Sequence, residues 1–183
     1  ELERVRIHGE GPGNALLGLG ADTQISFSDL TIADRTIDPN ETDEERIKQQ
    51  GWGVRLEQGV TLTGERLTVD RTKNVAVYAA DAGTSINVSD VLIRDTTGHS
   101  DDILESLGYG LAVEWGANAT LTRGLIENSS RQSVSVHGSG SNAVLTDVVT
   151  RERLDSEESE ELGESVESNA QGAGIQVLEG ASI

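Results

Sequence analysis

The feature that most limits what this chain can fold into is a stretch that occurs five times. Thr84–Thr96 reads TSINVSDVLIRDT, Ile25–Thr36 reads ISFSDLTIADRT, and Leu62–Thr72 reads LTGERLTVDRT. Ala119–Ser129 is ATLTRGLIENS and Ala143–Arg153 is AVLTDVVTRER. In every copy the apolar residues alternate, skip one step, then alternate again. Two short strands joined by a one-residue bend give that pattern, each turning one face inward. A unit of this length recurring in register marks a solenoid, where each coil buries its apolar face only against its neighbours.

Superposed on the column Asp29, Arg66, Asp90, Arg123, Asp147, the copies advance by 37, 24, 33 and 24 residues. The bare coil is therefore 24 residues long, and every second coil carries an insertion. The insertions cover residues 37–50, 97–107 and 154–171, and each begins directly after the I-x-D-x-T segment or its equivalent. Each is acidic, and each re-enters through Gly-x-Gly, at Gly51-Trp52-Gly53, Gly108-Tyr109-Gly110 and Gly172-Ala173-Gly174. Val5 and Ile7 fall 25 residues before Leu30 and Ile32, so an earlier coil ends in Glu1–Gly13. The expectation is a single all-β domain over 1–183 with about six to seven coils stacked about 4.8 Å apart.

The superposition assigns faces. Ile25, Leu62, Ile86, Ala119 and Ala143 form one inward column, and Phe27, Gly64, Val88, Leu121 and Leu145 a second. Ile32, Val69, Ile93, Ile126 and Thr150 form a third. Val54 with Leu56, Leu111 with Val113, Val134 with Val136, and Ile175 with Val177 supply the remaining strand of each coil. Two outward columns alternate in sign: Asp29, Arg66, Asp90, Arg123, Asp147, and Asp70, Arg94, Glu127, Arg151. Opposite charges at strand-pairing distance set the register, because a slipped coil would face like against like. Each exposed pair is worth only about 0–1 kcal/mol.

Composition narrows the function. Thirty-two acidic against fourteen basic residues give a net charge of −18, which opposes binding to nucleic acid or an anionic membrane surface. Cys is absent, so neither a disulfide nor thiol chemistry is available. No apolar run reaches the roughly 20 residues a membrane span needs. The start at Glu1, without an initiator Met or a signal peptide, is read as processed or trimmed. One Phe, two Tyr and two Trp leave an aliphatic core.

The segment VRIHGEGPGNALL followed by ISFSDLTIADRT resembles the opening coils of right-handed parallel β-helix proteins, the pectate-lyase-like group. The later G-x-G-h-x-h…G-A-x-h-x-h coils (h apolar) are similar to that group's generic repeat. The resemblance covers nearly the whole chain and implies a right-handed, three-sheet coil, in a group where many members bind or cleave acidic polysaccharides outside the cell. The group's catalytic signatures do not carry over. Asp101-Asp102 and an isolated Gly98-His99 are present, but R-I-K is missing and the pieces do not share a face. A calcium site of the pectate-lyase kind needs several carboxylates on one sheet with an arginine nearby. The column Asp34, Arg71, Asp95, Asn128, Glu152 offers such a set at one coil edge.

Other chemical candidates are few. His8, His99 and His137 fall in turns or an insertion, with no Ser or carboxylate at a useful spacing. Asp95, Asp101 and Asp102 are the metal candidates, with Ca²⁺ the ion that carboxylate oxygens would hold; no other cofactor is expected. Residues 43–50 and 101–107 read as short helices with acidic first turns, and 155–169 as a Ser/Glu-rich loop. The small-polar ladder of Ser26, Thr63, Asn87 and Thr120 is broken by Val144, and its neighbour by Glu65.

The expected protein is a secreted or surface-displayed bacterial scaffold or binding module, with polysaccharide or another surface protein as partner. Its contact surface is expected at Trp52, Tyr109, Glu44, Glu45, Asp101, Asp102 and Glu105. The rival is a polysaccharide lyase or hydrolase with a cleft beside the acidic loops. No catalytic residue is assigned. Neither end shows a capping element, so the domain is expected to be a piece of a longer solenoid, its open ends covered by further coils or a neighbouring chain.

Overall fold

The computed structural model describes residues 2–99, 107–152 and 173–183. In chain order the strands are β1 (Leu2–His8), β2 (Leu16–Leu19), β3 (Gln24–Arg35), β4 (Val54–Glu57), β5 (Thr61–Lys73), β6 (Val75–Ala80), β7 (Ser85–Thr97), β8 (Tyr109–Glu114), β9 (Asn118–Ser129), β10 (Gln132–His137), β11 (Asn142–Glu152) and β12 (Ala173–Leu178). One short helix, α1 (Glu44–Ile47), lies between β3 and β4. Odd strands form one six-stranded sheet and even strands another, and every pairing is parallel. The chain thus crosses from one sheet to the other at every step, and each strand pairs with the strands two before and two after. The protein is all-β, in a layout consistent with a solenoid.

The skipped step in the repeat has a backbone cause. Arg4, Asp29, Arg66, Asp90, Arg123 and Asp147 all have φ between 51° and 59°, in the left-handed region. None of them has a register partner, whereas the residues on either side pair normally. One left-handed residue per strand turns the chain a corner and shifts the inward set by one, so Phe27 and Leu30 both face the core. A second corner follows at Asp34, Arg71, Asp95 and Asn128, with φ between 50° and 58°. Asp and Asn tolerate this conformation better than most residues.

The inward columns stack as their register requires. Ile25 pairs with Leu62, Leu62 with Ile86, Ile86 with Ala119, and Ala119 with Ala143. Ile93 is fully buried between Val69 and Ile126 in the third column. A single apolar cluster runs through both sheets. Leu30, Leu67 and Val91 form a further buried column that the repeat alignment passes over. It lies directly after the bend and is interrupted by Gly124, where a Cβ would stand 2.9 Å from the Val91 carbonyl oxygen. Gly64 has a similar cause: its missing side chain makes room for the Phe27 ring.

Hydroxyls from adjacent coils satisfy the turns. The Gly59 amide donates to Thr84 Oγ1 and the Gly116 amide to Ser141 Oγ, each at 2.9 Å.

Two outcomes test this packing. Ile93→Ala removes a fully buried side chain and is expected to cost about 2–5 kcal/mol, read from the midpoint of chemical denaturation. At the exposed corner residue Asp147, a β-branched side chain opposes the left-handed backbone. Asp147→Ile should therefore lose about 1–2 kcal/mol relative to Asp147→Asn. Equal stability of those two variants would remove the bend from the account of the repeat.

Candidate functional site

The second corner builds an open groove that could receive a ligand. Three consecutive residues come from each row there: Asp34-Arg35 of β3 with the following Thr36, Arg71-Thr72-Lys73 of β5 and Asp95-Thr96-Thr97 of β7. The register aligns Arg35 with Thr72 and Thr96, and Lys73 with Thr97. Together with Glu10, eight of these nine residues (all but Thr96) line an open groove of about 310 Å³. Thr36 and Thr97 are the last residues before the chain leaves the stack for the segments that begin at 37 and 98.

Most charges in the groove already have partners. Arg71 Nε donates to Asp34 Oδ1 at 2.6 Å and its Nη2 to Asp34 Oδ2 at 3.2 Å, while Nη1 meets Asp70. His8 Nε2 lies 2.8 Å from Asp34 Oδ2, the oxygen that also accepts from Arg71 Nη2. Asn128 Nδ2 donates to Asp95 Oδ1 at 2.9 Å. Arg35 is committed to the carbonyls of Gly9, Pro12 and Gly13 at 3.2–3.4 Å. Lys73 differs: its ammonium reaches the Gly98 carbonyl only at 3.5 Å. It stands in register with Thr97 and is the cation in the groove with most left to give.

The sign-alternating columns form ion pairs between neighbouring strands. Arg66 bonds Asp29, and Arg123 Nε lies 2.9 Å from Asp90 Oδ1. Arg94 donates to both oxygens of Asp70, at 3.0 and 3.1 Å, and is in register with Glu127, which itself lies 3.8 Å from Arg151. Asp147 is in the Arg123 column and helps hold that guanidinium in its charged form. Asp70 takes its expected place on the outer face, in register with Arg94, but it is covered there. Its side chain is 8% exposed because the corner at Arg71 folds a second guanidinium over it.

The expected contact surface is only partly on view. Glu44 and Glu45 are exposed in the first turn of α1, which Asp43 caps by accepting from the amides of Glu45 and Arg46. Trp52, by contrast, is 7% exposed, which leaves little of it to offer a partner. Its indole packs edge-on against Tyr78 at 4.7 Å, lies under the Arg55 guanidinium at 4.6 Å and donates to the Lys48 carbonyl at 2.7 Å. It anchors the segment that crosses it. Tyr109 is half-buried beside Trp52, Val75 and Ala112. Burial pushes its phenol upward in pKa. Burial, and after it the Glu114 carboxylate, does the same for Tyr78, which donates to Glu114 Oε2 at 3.1 Å. Asp101, Asp102 and Glu105 lie outside the described residues. Among the described residues no group of three His, Asp or Glu stands close enough to hold a metal ion.

Histidine partners were invisible in the sequence because they come from neighbouring coils. His8 meets Asp34, His137 Nε2 lies 3.0 Å from Glu179, and His99 Nδ1 lies 2.8 Å from Asn74 Oδ1. Asn74, fully buried, was also missed. Its register places it in the column of Gly51 and Gly108, so aligning N-V-A-V with G-W-G-V and G-Y-G-L would have singled it out. Comparison with protein-family models, with curated proteins and with solved structures returned no match.

A pH dependence follows from the ion pairs. Hydrogen bonds from Arg66, Arg71 and Arg123 hold Asp29, Asp34 and Asp90 below the ordinary value of 3.8. A depressed folded pKa stabilises above the unfolded value and loses that contribution as pH falls through the folded one. Melting temperature should thus be level from about pH 7 to 5 and fall below about pH 4. Asp90→Asn should make the acid drop shallower; an unchanged drop would show that the exposed pairs contribute nothing.

Proposed function

We propose that this chain is an extracellular or cell-surface binding module of bacterial origin, whose contact region is the groove at the foot of its inserted segments and whose ligand is a polysaccharide. In this reading the two parallel sheets are a right-handed β-helix of the pectate-lyase-like kind, with about six to seven coils. Acidic insertions then leave one edge at every second coil. The observation that carries the reading is the groove itself. It presents three rows of carboxylate, guanidinium, ammonium and hydroxyl groups at strand spacing, which matches the closely spaced hydroxyls of a sugar chain. Rigid strands hold these groups, and loops rooted on such a support are where binding resides. The net charge of −18 and the absence, among the described residues, of a helix long and apolar enough to cross a membrane fit the same reading.

The rival reading, a lyase or hydrolase, gains a cleft beside the loops, but Asp34, a carboxylate at its centre, is a poor proton donor. A general acid needs a raised carboxyl pKa, and Asp34 is held down by Arg71 and His8. Binding is therefore the better account.

The test is a titration of the purified chain against neutral and acidic polysaccharides, with and without Ca²⁺, together with an assay for chain shortening. We expect saturable binding without cleavage. Lys73→Met should weaken it about tenfold or more, the effect of losing one charge-assisted hydrogen bond. Binding indifferent to Lys73 would move the contact away from the groove, and depolymerisation would favour the enzyme.

A further inference from the structure

Asn74 is the one residue between β5 and β6, fully buried and with φ of 63°. Neighbouring coils use Gly51 and Gly108 at this position, both also at positive φ. The left-handed backbone admits asparagine as well as glycine, but it does not explain why a polar side chain is fully buried there. Its hydrogen bonds do. Asn74 Nδ2 donates to the carbonyls of Ile47 at 2.8 Å and Gln50 at 2.9 Å. These belong to the end of α1 and the turn after it, where carbonyls lose their helical partners. Both acceptors oblige the amide nitrogen to face that segment, so Oδ1 faces His99 and accepts from its Nδ1–H at 2.8 Å. The Asn74 amide also donates to the Thr97 carbonyl at 2.7 Å.

Two segments that leave the stack from the rim of the groove, one after Thr36 and one after Thr97, therefore meet on a single amide group. A carboxamide cannot rotate to suit one side without losing the other. We infer that Asn74 is a positioning residue that couples these two segments, so that ordering either one orders the other. Through that coupling a ligand seated at one end of the groove would hold Ile47, Gln50 and His99 in place together. The coupling itself stands on geometry that holds whether or not the groove binds polysaccharide.

The experiment is a hydrogen-exchange cycle on the unliganded chain, read at the amides of Lys48, Gln49 and Gln50. These donate to Glu44, Arg46 and Ile47 carbonyls and report on the first segment alone. His99→Ala lies in the second segment, yet it should speed their exchange about tenfold, the effect of one hydrogen bond of ordinary strength. His99→Gln, which keeps a donor for Asn74 Oδ1, should restore slow exchange. Asn74→Gly keeps the left-handed backbone and should speed exchange at least as much, and adding His99→Ala to it should change nothing further. Core amides of β5 and β7 should keep their protection throughout, separating this local effect from general loss of stability. Unchanged exchange in His99→Ala, or additive effects in the double variant, would overturn the coupling. If Asn74→Gly fails to fold, the His99 pair decides alone. Failure of the polysaccharide titration would leave this result untouched.

Discussion

Everything in this structure depends on in-register stacking of a bent strand upon copies of itself. Parallel strands about 4.8 Å apart bring each residue over its equivalent in the next coil, so a side chain is buried by its own column. This is why an aliphatic chain with one Phe and two Trp can hold a continuous core. The left-handed residue at each corner is the device that lets a strand turn without leaving the ladder. Its cost is borne at every coil, and its column is filled with Asp, Asn and Arg, whose side chains point outward and find partners above or below.

The same stacking governs the charges. A chain this acidic would repel itself if its carboxylates were scattered. Instead, its arginines are threaded between carboxylates at one-coil spacing, as Arg66 with Asp29 and Arg123 with Asp90. These exposed pairs matter for register more than for stability. Asp70 is the exception. Enclosed by Arg71 and Arg94, it is largely shielded from water, so removing a guanidinium there leaves a mostly buried charge short of a partner.

The candidate site arises from what the stack cannot absorb. Where the chain leaves the ladder, main-chain groups lose strand partners, and side chains must take them. Arg35 gathers three carbonyls of the preceding coil, Asn74 gathers two from one segment and a histidine from another, and Trp52 donates to a third backbone carbonyl. The groove lies beside Arg35, with Asp34 already paired to Arg71 and His8, and Lys73 is the least committed of its cations.

The sequence by itself determined the repeat, the register and the inward columns of Ile25, Phe27 and Ile32, because alternation is a local property of the chain. It also located the corner from which the segment before Trp52 departs. It passed over the Leu30 column, since Gly124 breaks the apolar pattern for the sake of close coil contact. It could not reveal that Trp52 is covered, that Asp70 is enclosed, or that His8 and His137 have carboxylate partners. Those depend on residues 24 to 42 positions away that only stacking brings within a few ångströms. Asn74 is the clearest case. Locally it is a turn residue, and only the tertiary structure, by packing two departing segments against one buried amide, decides that it holds them together.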